Sequence, residues 1–194
     1  KKSIEIKVFF NGLYYRIIDL VDSILLNLEN KKYLSCIMLS RHLIETLATI
    51  IYFIGHSKKY LENQKYIEHF KLIWRLNAQP EDIDKKLHIN DILRYYQKFL
   101  HKSYDTSKLN EKIYSNISDI AHPNYNGVTQ FYSKKYPNNR ILFRNFQESS
   151  INKTQMAIMQ CFMNLPNIAD EIEKYEEFIN KNWEKYMSEY LRDR

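Results

Sequence analysis

Only three glycines and four prolines interrupt 194 residues, and this shortage of breakers constrains the fold more than any other feature. A sheet of many strands needs frequent turns, and turns draw on glycine and proline for backbone angles that other residues resist. A chain so poor in both favours long helices. The length suits a single domain over residues 1–194, able to bury a core without disulfides or metals. Apolar residues at 44% and charged residues at 27% are ordinary for a folded chain and too hydrophobic for a disordered one. The expected fold is all-α, a bundle of about six to seven helices.

The apolar periodicity locates those helices. Phe10, Leu13, Tyr14, Ile17, Val21, Ile24, Leu25 and Leu28 recur at helical spacing, which predicts an amphipathic first helix over about 4–28. Over about 32–54 the pattern covers nearly the whole circumference, with Leu34, Met38, Ala48 and Tyr52 on one side and Leu43, Leu47 and Ile50 on the other. A helix apolar all round belongs at the centre of a bundle. Gly55 is expected to end it as a C-cap. A third helix is expected over about 58–76, a connection over 77–82, a fourth helix through Ile92, Leu93, Tyr96 and Leu100, and a fifth through Leu109, Tyr114, Ile117 and Ile120. Pro123 disfavours α geometry in the residue before it, so the fifth stops near His122.

Residues 122–150 form the one irregular region, with turn signals at Asn126-Gly127 and Pro137-Asn138-Asn139. A short β-hairpin is expected near 128–146, with Val128 to Tyr132 against Ile141 to Phe146. Helix returns from Ile151, and Leu165-Pro166 is expected to kink or break it. A long amphipathic C-terminal helix over about 167–192 then closes the bundle or pairs with a second copy.

A net charge of +6 permits attraction to polyanions. The excess lies in residues 1–103, with 17 Lys/Arg against 11 Asp/Glu. A local basic stretch, Lys134, Lys135, Arg140 and Arg144, interleaves with Phe131, Tyr132, Tyr136, Phe143 and Phe146. Such alternation suits either a nucleic-acid surface or a flap whose aromatics pack while its charges stay hydrated. Cys36 and Cys161 sit in apolar patterns, as small buried hydrophobes of a reducing cytoplasm do. The apolar run Ala48 to Ile54 is far short of the roughly 20 residues a span needs, so no membrane is expected. The opening Lys1-Lys2-Ser3 lacks an initiator methionine and a signal-peptide pattern, and reads as a trimmed start.

The most informative local feature lies in the second helix. Arg41 and Glu45 fall within the stripe of Leu34, Met38, Ala48 and Tyr52, which predicts two charges inside the bundle. Burying them is costly unless they are paired and hydrogen-bonded. The expected partner is the polar helix end Ser118, Asp119, His122 and Asn124, where carbonyls would otherwise lack donors. His122 at a helix C-terminus gains from the macrodipole when protonated and is placed to bond Glu45. Two roles stand open for this cluster: a buried structural latch and a functional pocket.

The pairing of R-x-x-x-E (Arg41 to Glu45) with a later S-x-x-x-H-P (Ser118 to Pro123) resembles bacterial helical families related to the HEPN superfamily. The resemblance implies a helical bundle that dimerises, often a metal-independent endoribonuclease of toxin–antitoxin or phage-defence systems. It also implies a catalytic arginine followed after four to six residues by a histidine, a pattern met here by Arg94 and His101. In that role the arginine steadies the phosphate and the histidine moves a proton as the ribose 2′-hydroxyl attacks. The open alternative is a solvated helix face. No HExxH, CxxC, Gly-rich phosphate loop or G-x-S-x-G elbow occurs, so no metal and no cofactor are expected. The partners expected are RNA, a second copy of the chain and a protein encoded nearby.

Overall fold

In a computed structural model of the chain, the structure describes residues 2–77, 87–103, 114–115, 117–118, 120, 133–135, 141–143 and 148–192. Five helices make up almost all of it: α1 (Lys2–Glu29), α2 (Tyr33–Glu62), α3 (Tyr66–Asn77), α4 (Ile89–Ser103) and α5 (Glu148–Arg192). Tyr114, Ser115, Ile117, Ser118 and Ile120 are also helical. The fold is all-α.

Helix α2 is the hub, sharing extensive contacts with α1, α3, α4 and α5. Its composition explains this role, because 14 of its residues are buried, among them Ile37, Leu43, Leu47, Ile50 and Phe53. The cysteine thiols mark the directions of its neighbours. Cys36 Sγ donates to the Ile24 carbonyl of α1, whereas Phe53 meets Phe10, so α1 runs antiparallel to α2. Cys161 Sγ donates to the Ser40 carbonyl, whereas Tyr175 meets Phe53, so α5 runs parallel to it. Both cysteines are free and buried, as expected of small hydrophobes. By length and apolarity alone, Tyr33–Glu62 would also pass as a membrane span, with a mean hydropathy of 1.4 over its best window, although the unbroken-run argument suggested otherwise. Of that window, 61% is buried within the fold.

The first helix ends about where expected, and the second runs past its expected end at Gly55. Residues Lys31 and Gln64 take the left-handed conformation, at φ 56° and 58°. Each closes a Schellman cap: Lys32 N–H donates to the Asn27 carbonyl and Lys31 N–H to that of Leu28, and Lys65 N–H donates to Tyr60 and Gln64 N–H to Leu61. A lysine and a glutamine hold positions that glycine usually takes, so the α2–α3 corner falls at 63–65 and not at Gly55. Gly55 lies inside α2, where the Tyr95 ring of α4 rests against it; a methyl group there would come within 2.7 Å of Tyr95 Cζ and closer to its hydroxyl. Tyr95 is held by Tyr52 and His56, with ring centroids at 5.4 and 5.1 Å. Glycine to alanine normally stabilises a helix by about 1 kcal/mol. Here overpacking of about 1–3 kcal/mol opposes that gain. Gly55→Ala is therefore expected to lower the denaturation midpoint, and Tyr95→Ala in the same chain to reverse the sign of the Gly55→Ala effect.

Pro166 does not break the C-terminal helix, which runs unbroken over 45 residues. The residue is exposed, so the carbonyl that its missing N–H leaves free on the preceding turn can turn to water. The strand pair lies within the expected 128–146, with its second strand inside the expected Ile141 to Phe146. β1 (Ser133–Lys135) pairs antiparallel with β2 (Ile141–Phe143), with Lys134 opposite Leu142. The expected first strand, Val128 to Tyr132, lies outside the described residues. The number of residues between the two strands is within the usual hairpin length.

Candidate functional site

Arg41 and Glu45, one turn apart on α2, form an ion pair with Nε 2.9 Å from Oε1. The Tyr114 hydroxyl donates to the same oxygen at 3.0 Å. His42 Nδ1 lies 3.4 Å from Oε2. Arg41 and Glu45 are 24% and 20% exposed, so they stand at the edge of the bundle and not sealed within it as expected. The cause is visible in their stripe: Ala48 is buried, but Met38 is 43% exposed and Leu34 and Tyr52 are half-buried. Burial pulls the Arg41 guanidinium down, but the hydrogen bond and charge of Glu45 outweigh it and leave its pKa raised.

The partner expected for this pair was the segment ending at Pro123. Tyr114, from the helical residues leading into that segment, is the group that reaches Glu45. Ser118 is half-buried, one turn beyond Tyr114, and its hydroxyl acts on that phenol to lower its pKa against the larger effect of burial. Asp119, His122 and Asn124 lie outside the described residues, as do Arg140 and Arg144. Lys134 and Lys135 belong to β1. Because the pair is partly hydrated, breaking it falls between the surface and the buried case. Glu45→Gln is expected to cost about 1–2 kcal/mol in urea unfolding, and Tyr114→Phe less.

Beside the ion pair a small cleft lies between α2, α4 and α5, lined by Ile44, Leu93, Tyr96, Gln97, Tyr114, Gln160 and Asn164, with a volume of about 10 Å³, room for about one water. Tyr114 belongs to both features. Tyr96 is 3% exposed, and burial raises the pKa of its phenol far above the ordinary value. The Tyr96 hydroxyl and Gln160 Oε1 are both buried without a partner among the described residues.

Arg94 and His101 lie seven positions apart on α4. Arg94 is 67% exposed and touches Asp91 at 3.3 Å. The structure therefore does not bring Arg94 to the Arg41–Glu45 pair.

A third polar group was not anticipated. Ser57 Oγ lies 3.0 Å from His69 Nδ1 and 2.5 Å from the Tyr175 hydroxyl, joining α2, α3 and α5. None of the three is more than 1% exposed. Burial lowers the His69 pKa to about 4, so the ring is neutral, and it raises that of Tyr175. A chain of donation from Tyr175 through Ser57 to Nδ1 leaves only His69 Nε2 unpaired; the reverse direction orphans the tyrosine proton as well. Sealed from solvent, this trio is a structural staple and not a Ser–His catalytic pair. The signal for it was present: Ser57 falls on the buried face between Phe53 and Leu61, and His69 between Tyr66 and Leu72.

Among the described residues no cluster of three or more His, Cys, Asp or Glu is arranged to hold a metal ion. No family model, no curated protein and no solved structure matches the chain.

Proposed function

We propose that this chain is a HEPN-like helical domain that acts on RNA, as a metal-independent endoribonuclease of a bacterial defence or toxin system. The observation that carries the reading is the exposed Arg94 guanidinium on α4, seven positions before His101 in the same helix. Among the described residues its one side-chain contact is a long one to Asp91, which leaves most of its donors for a phosphate. In the proposed step, His101 takes the proton of a ribose 2′-hydroxyl, that oxygen attacks the adjacent phosphorus, and the bond to the 5′-oxygen breaks as that oxygen takes a proton from water. Arg94 stabilises the charge that develops on the phosphoryl oxygens.

In its full form the domain is proposed as six to seven helices with a flap over 128–146, whose Lys134, Lys135, Arg140 and Arg144 meet the RNA backbone. It is proposed to work in the cytoplasm as a homodimer, alongside a protein encoded nearby. The test is incubation of purified protein with mixed RNA in EDTA. Arg94→Ala and His101→Ala are each expected to slow cleavage by about 10²-fold or more. Cleavage that is unchanged in the double variant rejects the assignment.

A second reading, a non-catalytic interaction module, is favoured by α1. Val8, Tyr15, Ile18 and Leu26 are 63%, 70%, 46% and 59% exposed on the side of α1 opposite its buried Phe9, Phe10 and Ile24. A row of exposed apolar side chains of this kind marks an interaction surface. Sedimentation decides it: under this reading Tyr15→Glu with Leu26→Glu dissociates an assembly that the wild-type chain forms.

A further inference from the structure

We propose that the half-buried aromatic cluster on the seam of α2 and α4, Tyr52, His56, Tyr60 and Tyr95, is a stacking platform for unpaired RNA bases; this deepens the RNA reading above and rests on it. Tyr52, His56 and Tyr60 follow one another at four-residue steps, so one stripe of α2 carries all three. The ring centroids of Tyr52 and His56 are 4.2 Å apart with 30° between the planes, and those of His56 and Tyr60 are 6.0 Å apart. Tyr95 of α4 joins from the side, 5.4 Å from Tyr52 and 5.1 Å from His56. All four are half-buried, so each keeps part of its surface in water, unlike the enclosed rings of Phe53 and Tyr175. Building the cluster works against helix stability: the Tyr95 ring lies where any side chain at position 55 would start, and the glycine that makes room for it is a poor helix former.

The surroundings suit a polyanion. Lys59 and Lys98 are exposed, and Arg94 adjoins Tyr95 in the chain. Burial raises the pKa of the Tyr52 phenol, and the charges of Asp91 and Arg75 reach it with opposite effects. Asp91, the acid among these groups, is held by Arg94 at 3.3 Å. Burial, and then the Lys59 charge, lower the pKa of His56, so its ring stands neutral in the stack at pH 7. Neutral rings take bases by their faces while cations at the rim take the phosphates, the division of labour that single-stranded nucleic acid requires. A strand whose bases rest on this platform carries its phosphates past the Arg94 guanidinium.

The test measures binding of a 2′-O-methyl oligoadenosine, which keeps bases and phosphates but lacks the attacking hydroxyl of the proposed cleavage, against an abasic ribose-phosphate oligomer of the same length and charge. Wild type, His56→Leu and Tyr60→Leu are compared, because leucine keeps apolar bulk at each half-buried position and removes the ring. The wild type is expected to hold the oligoadenosine about tenfold or more tighter than the abasic oligomer, and each variant to lose most of that preference while binding the abasic oligomer as before. Equal binding of the two oligomers by the wild type, a comparison that needs no variant, overturns the platform and leaves the RNA reading standing on phosphate contacts. A preference kept in full by both variants places the stacking elsewhere and also overturns the platform. Binding of neither oligomer overturns the platform and the RNA reading together.

Discussion

Lowering the pH from 7 to 4 is expected to remove about 3 kcal/mol of stability through His69 alone. Burial holds its folded-state pKa near 4, against an ordinary value of 6.5. Between those values the unfolded chain binds a proton that the folded chain refuses. The stabilisation is therefore complete above about pH 6.5, declines as the pH falls through the window, and is fully lost below about pH 4. The groups around the ring offer no relief: Ser57 and Tyr175 are neutral, and Phe53 and Phe70 flank it at 6.1 and 5.3 Å. Urea unfolding at several pH values checks this, with His69→Asn as the comparison. Asparagine keeps a polar atom near the position of Nδ1 and does not titrate, so the variant starts lower at pH 7 and loses less on acidification. Parallel pH profiles for the two proteins would assign the acid lability to carboxylates elsewhere.

The second large effect belongs to Tyr175, whose ring packs on Phe10 and Phe53 at 5.4 and 5.8 Å, while its hydroxyl anchors Ser57. Tyr175→Ala removes a fully buried ring where α1, α2 and α5 meet, and is expected to cost about 3–5 kcal/mol. Tyr175→Phe keeps the ring and leaves Ser57 with His69 alone, at about 1–2 kcal/mol. The difference between the variants measures packing apart from the hydrogen bond. Equal losses would place the value of this residue in its hydroxyl.

Much of this core is legible from periodicity. The apolar circumference of residues 32–54 implied a central helix, and α2 is the hub that α1, α3, α4 and α5 share. The boundaries were less legible. Gly55 carries the residue type of a cap but serves as a seat for Tyr95, while the true corner is closed by Gln64, a side chain that rarely adopts a positive φ. Pro166 does not break the helix, and its exposed position is where an interior proline costs least.

For the polar clusters, helical phase placed Arg41 and Glu45 on one stripe but looked for their partners in the segment ending at Pro123, whereas the two, four apart on α2, pair with each other. It could not say how deeply they lie, since that depends on which neighbours cover Met38 and Leu34. Nor could it foresee Ser57, His69 and Tyr175 meeting, because their contact joins three helices across 118 residues. The cleft beside Tyr96 was hidden in the same way: in sequence Tyr96 belongs to the apolar face of α4, and only the crossing of α5 sets Gln160 into the same wall.

The direct trial of the proposed function is the chemistry of the RNA ends after incubation with the purified chain in EDTA. Attack by a neighbouring 2′-hydroxyl leaves a 2′,3′-cyclic phosphate on one fragment and a 5′-hydroxyl on the other, and replacing both Arg94 and His101 with alanine should abolish these products. Intact RNA with the wild-type chain, or the same ends formed equally by the double variant, would contradict it.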